Sequence, residues 1–187
     1  MKTGLLSIST LVISLVSGAV FAQDDSTLTA EQLAAKFIAQ QATRGLVIAP
    51  AGDAATAEAA DPAALPADTT FVALDPSAQV NFQIKFAFDS AALATDEAAK
   101  LTTLCEVIKA SDIPQFKIIG HTDASGTDSY NQNLSLLRAE EVKRHLVDDC
   151  GVPDAKLVAV GVGESFPLDP NDPRADVNRR VEFQVGS

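Results

Sequence analysis

The strongest constraint on the fold is a dense run of periodic apolar segments over residues 80–185. Residues 80–88 alternate large apolar side chains with polar or small ones, which predicts a strand with one buried face. A similar alternation marks the C-terminal end, and two short apolar runs lie between. These three further predicted strands cover residues 116–119, 157–160 and 180–185.

Two helical segments separate these strands. Apolar residues recur at helical spacing over residues 98–108, and Thr95 followed by two acidic residues suits a helix N-terminus. A second helix is predicted over about residues 130–149. The order strand, helix, strand, helix, strand, strand predicts an α+β fold over residues 80–187. We expect a two-layer sandwich with the helices on one face of a mixed four-stranded sheet.

The chain begins with the features of an export signal. Lys2 supplies a positive end, residues 5–16 are mostly apolar, and Val20-Phe21-Ala22 is typical of a cleavage site. We predict a signal peptide over residues 1–22 and an exported, soluble mature chain without a membrane span. The alternative is an uncleaved N-terminal anchor.

Two segments precede the periodic region. Residues 23–49 contain one predicted helix, with Leu33, Phe37 and Ile38 at helical spacing, and are a candidate to dock another envelope protein. Residues 50–79 are rich in Ala, Asp and Pro, which predicts an extended acidic linker.

Charge and cysteine content narrow the possible partners. Removing residues 1–22 takes away one positive charge, Lys2, so the formal net charge changes from −11 to −12. So acidic a chain repels nucleic acid and anionic lipid, and neither is expected as a partner. In an oxidising compartment the two cysteines, Cys105 and Cys150, are expected to form a disulfide, with buried thiols as the alternative.

The second predicted helix carries polar residues on the face that should meet the core. When the helix is projected at about 100° per residue, the side chains that should face the core span an arc of about 140°. In the C-terminal half of the helix this face is apolar. In the N-terminal half of the helix the same face includes Asn131, Ser135 and Arg138. We interpret this as a helix whose first turns face a polar pocket, where a desolvated guanidinium needs an anion.

The loop before this helix supplies a carboxylate, Asp123. One interpretation is that Asp123 and Arg138 bond each other and brace the loop. The other is that they bind a zwitterion, with the ammonium on Asp123 and the carboxylate on Arg138. The spacing of the two residues does not decide between them.

Five separated motifs occur in an order that matches a known family. The motifs are Phe86-Ala87-Phe88-Asp89-Ser90, Gly120-His121-Thr122-Asp123, Asn131-x-x-Leu134-Ser135-x-x-Arg138-Ala139, Gly161-x-Gly163-Glu164 and Asn178-Arg179-Arg180-Val181. On these motifs, residues 80–187 resemble the OmpA-like C-terminal domain, which peptidoglycan-associated lipoproteins and flagellar stator proteins share.

The resemblance implies the identity of the ligand. In that family the matching Asp and Arg hold the zwitterionic end of diaminopimelate in the peptidoglycan stem, and these roles fall on Asp123 and Arg138. Thr122, Asn131 and Arg179 match other polar positions of the family's site. Arg179 and Arg180 should point to opposite faces of the last strand, one toward the pocket and one toward water.

We therefore expect a non-enzymatic peptidoglycan-binding protein in the periplasm of a Gram-negative bacterium, associated with the outer membrane only through a partner. A periplasmic adaptor that docks another envelope protein is the alternative. No catalytic residue, cofactor or metal site is predicted, because no nucleophile motif or second cluster of metal ligands accompanies His121. We expect the family's usual tether to be missing, since Gln23 and not Cys directly follows the predicted cleavage site.

Overall fold

The computed structural model describes residues 24–44, 70–87 and 90–186. The predicted signal peptide and most of the predicted linker lie outside these residues. The described helices and strands are α1 (Ala30–Arg44), β1 (Val80–Phe82), α2 (Thr95–Ala99), α3 (Thr102–Ala110), β2 (Phe116–Gly120), α4 (Asp128–Asp148), β3 (Leu157–Gly161) and β4 (Val181–Val185).

The strands form one mixed sheet in the order β1-β4-β2-β3. Strand β4 pairs antiparallel with both β1 and β2, whereas β2 and β3 are parallel and are connected through α4. A helical crossover is what a parallel pair requires. The predicted α+β class and the mixed four-stranded sheet are confirmed.

Two predicted elements differ from the observed ones. Strand β1 ends at Phe82. Beyond it the backbone N–H of Lys85 donates to the Glu97 side chain at 2.9 Å instead of pairing with a neighbouring strand. The predicted first helix is divided into α2 and α3 by a tight turn at Lys100–Leu101, whose N–H groups bond three residues back. Leu101 remains fully buried at that turn.

One face of the sheet carries the main hydrophobic core. Phe116, Ile118 and Phe183 pack there against α3 and α4. Helix α1 joins the same core through Leu33 and Phe37, and the Phe37 ring meets the Phe116 ring edge-on at 5.0 Å between centroids. Leu33 and Phe37, which the sequence offered for docking a partner, are therefore buried against the chain's own sheet, whereas Ile38 remains exposed.

The opposite face of the sheet is also covered. Residues 70–74, assigned to the linker by composition, lie across it, and their carbonyl groups accept hydrogen bonds from Lys117 Nζ (2.7 Å, to Thr70) and Gln184 Nε2 (2.9 Å, to Val72). Lys117, Glu182 and Gln184 are fully buried there. The polar side chains that alternate along these strands are thus interior residues.

Helix α4 lies very close to the C-terminal ends of β2 and β3. A Cβ atom added to Gly161 would come within 2.5 Å of the Leu136 nitrogen, and one added to Gly120 would overlap the Ser135 backbone. Glycine at both positions therefore allows the polar first turns of α4 to lie beside the loop that follows β2.

Candidate ligand-binding site

The inward face of α4 contains the residues that the helical projection selected. Thr127 caps the helix by accepting a hydrogen bond from Tyr130 N at 3.3 Å, as an N-cap threonine does. The buried residues of the helix are Asn131, Ser135, Arg138, Ala139, Val142 and Leu146. The helix therefore has a polar buried half followed by an apolar buried half.

Arg138 is 8% exposed and has no carboxylate partner within salt-bridge distance among the described residues. Its Nε donates to the Ser90 carbonyl at 3.3 Å, and its guanidinium carbon lies 4.8 Å from the centre of the Phe86 ring. Burial lowers the pKa of Arg138, and the nearby Tyr130 and Asp123 only partly oppose this effect. A buried cation in this state favours an anionic ligand.

Asp123 is paired with Arg179 rather than with Arg138. Its Oδ2 accepts from Arg179 Nη1 at 2.6 Å, and its Oδ1 accepts from the Ser125 backbone N–H at 2.8 Å. Burial alone would raise the pKa of Asp123, but the hydrogen bonds from Ser125 and Arg179 outweigh it and hold the pKa below its usual range. The carboxylate is therefore ionised at neutral pH.

Arg179 connects the two predicted ligand-binding residues. Besides Asp123, it contacts Asp176 Oδ1 at 2.5 Å, and its side chain remains 41% exposed. Arg179 also lines a cavity of about 390 Å³ together with Arg138. The other lining residues are Gln83, Ile84, Lys85, Phe86 and Asp176. Among all the lining side chains, Lys85, Arg138 and Arg179 are basic and only Asp176 is acidic, so the cavity is suited to an anion.

Thr122 and Asn131 lie behind this site. Asn131 Nδ2 donates to the Asp123 carbonyl at 3.3 Å and contacts the Glu164 carboxylate, which braces the loop against α4. Thr122 is 4% exposed, its N–H bonds to the Gly163 carbonyl at 2.9 Å, and its Oγ1 has no hydrogen-bond partner in the described part of the chain.

The two consecutive arginines point to opposite faces, but the expectation that one faces water is wrong. Arg180 is 3% exposed and donates to Asn81 Oδ1 at 3.0 Å and to the Phe166 carbonyl at 3.3 Å. Burial lowers the pKa of Arg180 to about 10. Its neighbour on that face is Glu182, 3.8 Å away.

His121 also lies on the face away from the cavity. Its Nε2 is 3.2 Å from Glu182 Oε2, and the ring packs edge-on against Phe71. Burial lowers the pKa of His121, although the hydrogen bond to Glu182 opposes the effect. This position separates His121 from the candidate ligand-binding residues.

Two lining residues, Lys85 and Asp176, were missed at the level of sequence. Lys85 was assigned to the polar face of a regular strand, whereas the early end of β1 directs its segment along the cavity. Asp176 lies in a short turn, Asp176–Asn178, just before Arg179, and no pattern in the sequence marked it as a site residue.

The class of domain is defined by an α+β sheet and a basic cavity that is lined by the inward Arg138 and by Arg179, the partner of the loop carboxylate Asp123. The OmpA family matches residues 85–180, slightly more than half of the chain, and the chain belongs to this family. No helix in residues 24–44, 70–87 or 90–186 has the length and apolar character needed to span a membrane.

Three similar proteins illustrate the relationship. Outer membrane porin F of Pseudomonas fluorescens is 38% identical over 109 residues, which is 57% of this chain and 33% of the porin. The outer-membrane lipoprotein YfiB of Pseudomonas aeruginosa is 38% identical over 95 residues, 50% of this chain and 56% of that protein. The periplasmic domain of Helicobacter pylori MotB is 20% identical with a TM-score of 0.50, covering 57% of this chain and 74% of that domain. The last similarity supports the fold alone, and the chain spans about one third of the porin's length.

Proposed function

We propose that this protein binds peptidoglycan non-covalently in the periplasm of a Gram-negative bacterium, through the diaminopimelate of the peptide stem. The observation that carries the proposal is the buried guanidinium of Arg138, which lines a cavity and has no carboxylate partner among the described residues. A ligand carboxylate would supply an anion for this guanidinium and could accept two parallel hydrogen bonds.

Asp123 is the proposed site for the ligand's ammonium group. Its present partner, Arg179, has a second carboxylate in Asp176 at 2.5 Å and is partly exposed. Arg179 can therefore give up or share Asp123 and stay paired. The exchange keeps every charge near an opposite one, which limits the free energy that ligand binding must supply.

The proposed function involves no chemistry on the wall. His121 is buried on the opposite face of the sheet and hydrogen-bonded to Glu182. A single zwitterion gives a small contact area, so each contact should be weak and retention should depend on many contacts along the polymer.

Sedimentation with purified peptidoglycan tests the site. We expect Asp123→Ala and Arg138→Ala each to lose most of the binding that wild type shows. Arg144→Ala and Asp154→Ala are matched controls, because each removes the same charge from an exposed ion pair, and both should sediment like wild type. Diaminopimelate should compete with wild type. Unchanged sedimentation of both site variants would refute the zwitterion model, and release of soluble fragments would refute the non-enzymatic one.

The adaptor alternative has one structural observation in its favour. Ile38 on the outer side of α1 is 63% exposed beside a largely apolar cavity of about 610 Å³ between α1 and α3. The same sedimentation assay separates the two functions. An adaptor would be retained by crude envelopes but not by peptidoglycan stripped of protein, and Ile38→Asp would abolish that retention.

A further inference from the structure

The two cysteines share their surroundings with a histidine that the proposed function does not use. Cys105 in α3 and Cys150 just after α4 are joined as a disulfide, with Cα atoms 5.9 Å apart. His145, in the last turn of α4, has its Nε2 3.9 Å from Cys150 Sγ. The ligand atoms of these three residues all lie within 4.8 Å of one another.

We propose that the reduced form of this cluster is a binding site for a thiophilic divalent ion such as Zn²⁺. Zinc holds thiolate sulfur at about 2.3 Å and imidazole nitrogen at about 2.0–2.1 Å, so tetrahedral ligand atoms lie roughly 3.5–3.8 Å apart. The present separation of His145 Nε2 and Cys150 Sγ, 3.9 Å, is slightly above this spacing. Small side-chain rotations after reduction would bring the ligand atoms to it.

The state of His145 supports a role as ligand. Its Nδ1 is 2.8 Å from Asp149 Oδ2, and a carboxylate can only accept, so the Nδ1 proton belongs to this hydrogen bond. In the neutral form of the ring, the lone pair of Nε2 then faces the sulfur of Cys150. A carboxylate that orients a histidine in this way is the usual outer contact of a zinc-bound imidazole.

The site has room for a fourth ligand. A cavity of about 810 Å³ borders Cys105, His145 and Cys150. Its charged lining residues include Glu106, Lys109 and Asp149. Lys109 Nζ donates a hydrogen bond to the Cys150 carbonyl at 2.9 Å. Water or the Glu106 carboxylate could complete the tetrahedron.

The disulfide controls zinc binding, because cysteine sulfur binds zinc as the thiolate and not as a disulfide. A dithiol reductant transfers two electrons and two protons to the bond between Cys105 and Cys150 and becomes a disulfide itself. Zinc then binds both sulfur atoms and His145, and the two thiol protons are released. Thiol–disulfide exchange with an oxidised dithiol, which accepts two electrons and is itself reduced, would re-form the bond between Cys105 and Cys150 and expel the ion.

Zinc retention by the purified mature chain tests this site, with and without prior reduction and removal of the reductant. A chromogenic chelator should release about one zinc ion per reduced chain and none per oxidised chain. Reduced chain loaded with Co²⁺ should show the charge-transfer absorption of a thiolate-bound ion. Circular dichroism before and after reduction should be unchanged, because the ligands are already assembled.

Three variants resolve the contributions of the ligands. His145→Gln should weaken zinc affinity of the reduced chain by more than about 100-fold, and Asp149→Asn should weaken it by about 10–100-fold. Asp148→Asn is the matched control, because both carboxylates are 58% exposed at the end of α4, and its affinity should equal that of wild type. The proposal is wrong if reduced wild type retains no zinc, if His145→Gln binds as tightly, or if zinc is taken up only with loss of helical structure.

Discussion

Two buried arginines in this domain differ in what their guanidinium groups contact. Arg180 bonds to Asn81 and lies 3.8 Å from Glu182, so its charge has a buried counterpart. Arg138 stacks on Phe86 and donates to one carbonyl group. Arg180 is therefore part of the paired polar interior of the sheet. Arg138 is desolvated without a carboxylate partner among the described residues, which lowers the stability of the fold, as expected for a binding residue.

This difference predicts opposite effects of the same substitution. Arg138→Met should leave the free energy of unfolding equal or higher, because it removes a desolvated cation that lacks a carboxylate partner within the described chain. Arg180→Met should lower it by about 3 kcal/mol, because Glu182 would remain buried without its cation. Urea denaturation of both variants gives the comparison, and equal losses would contradict it.

At the scale of single residues, the sequence predicted orientation better than pairing. Helical projection alone selected Arg138 as an inward residue, because the 3.6-residue period fixes which positions share a face. It left open whether Asp123 and Arg138 bond each other. The structure pairs Asp123 with Arg179, 56 residues away. Such a contact depends on how two loops meet at the end of the sheet, and no periodicity encodes it.

Helix α1 is the element whose role changed most between sequence and structure. Phe37 is 1% exposed and packs on Phe116, so Phe37→Ala should reduce the free energy of unfolding by about 3–5 kcal/mol. The adjacent Ile38 is 63% exposed, and Ile38→Ala should change it by no more than about 0.5 kcal/mol. Chemical denaturation measures both. If the two variants proved equally stable, α1 would not be an integral part of the domain.

Strands β2, β3 and β4 could be predicted to within one residue, because short apolar or alternating runs bounded by turns define them. Strand β1 could not, although its alternation is the most regular in the chain. It has a partner only as far as Phe82, opposite Val181. Strand length is therefore set by the neighbouring strand, which a local pattern does not contain.

Over the whole molecule, the covering of both sheet faces was the least predictable feature. Residues 70–74 contain three large apolar side chains, Phe71, Val72 and Leu74, but they follow a long stretch rich in Ala, Asp and Pro, and composition therefore assigned them to the linker. They cover the sheet through Phe71, which packs on the apolar side chains of this face, and through backbone carbonyl groups that accept from Lys117 and Gln184. So short an apolar run does not show what it packs against, and backbone hydrogen bonds leave no trace in the pattern of side chains.

The link between α3 and the end of α4 should contribute to the stability of the whole domain. We expect Cys105 and Cys150 to resist alkylation in the unreduced protein and to add two labels after reduction, as mass spectrometry would show. The loop spans 45 residues, so its closure should stabilise the fold by about 4 kcal/mol in the chain-entropy model. Alkylation of the unreduced chain would contradict the bond.

Zinc should restore part of the stability lost on reduction, because an ion that binds only the folded state stabilises it by mass action. At a free zinc concentration about 100 times the dissociation constant, the gain is about 2.7 kcal/mol. Zinc should therefore raise the midpoint temperature of thermal unfolding of the reduced chain in wild type and Asp148→Asn, and raise it far less in His145→Gln. Equal shifts in all three proteins would mean that zinc acts elsewhere on this acidic chain, and the redox state of Cys105 and Cys150 would then matter for stability alone.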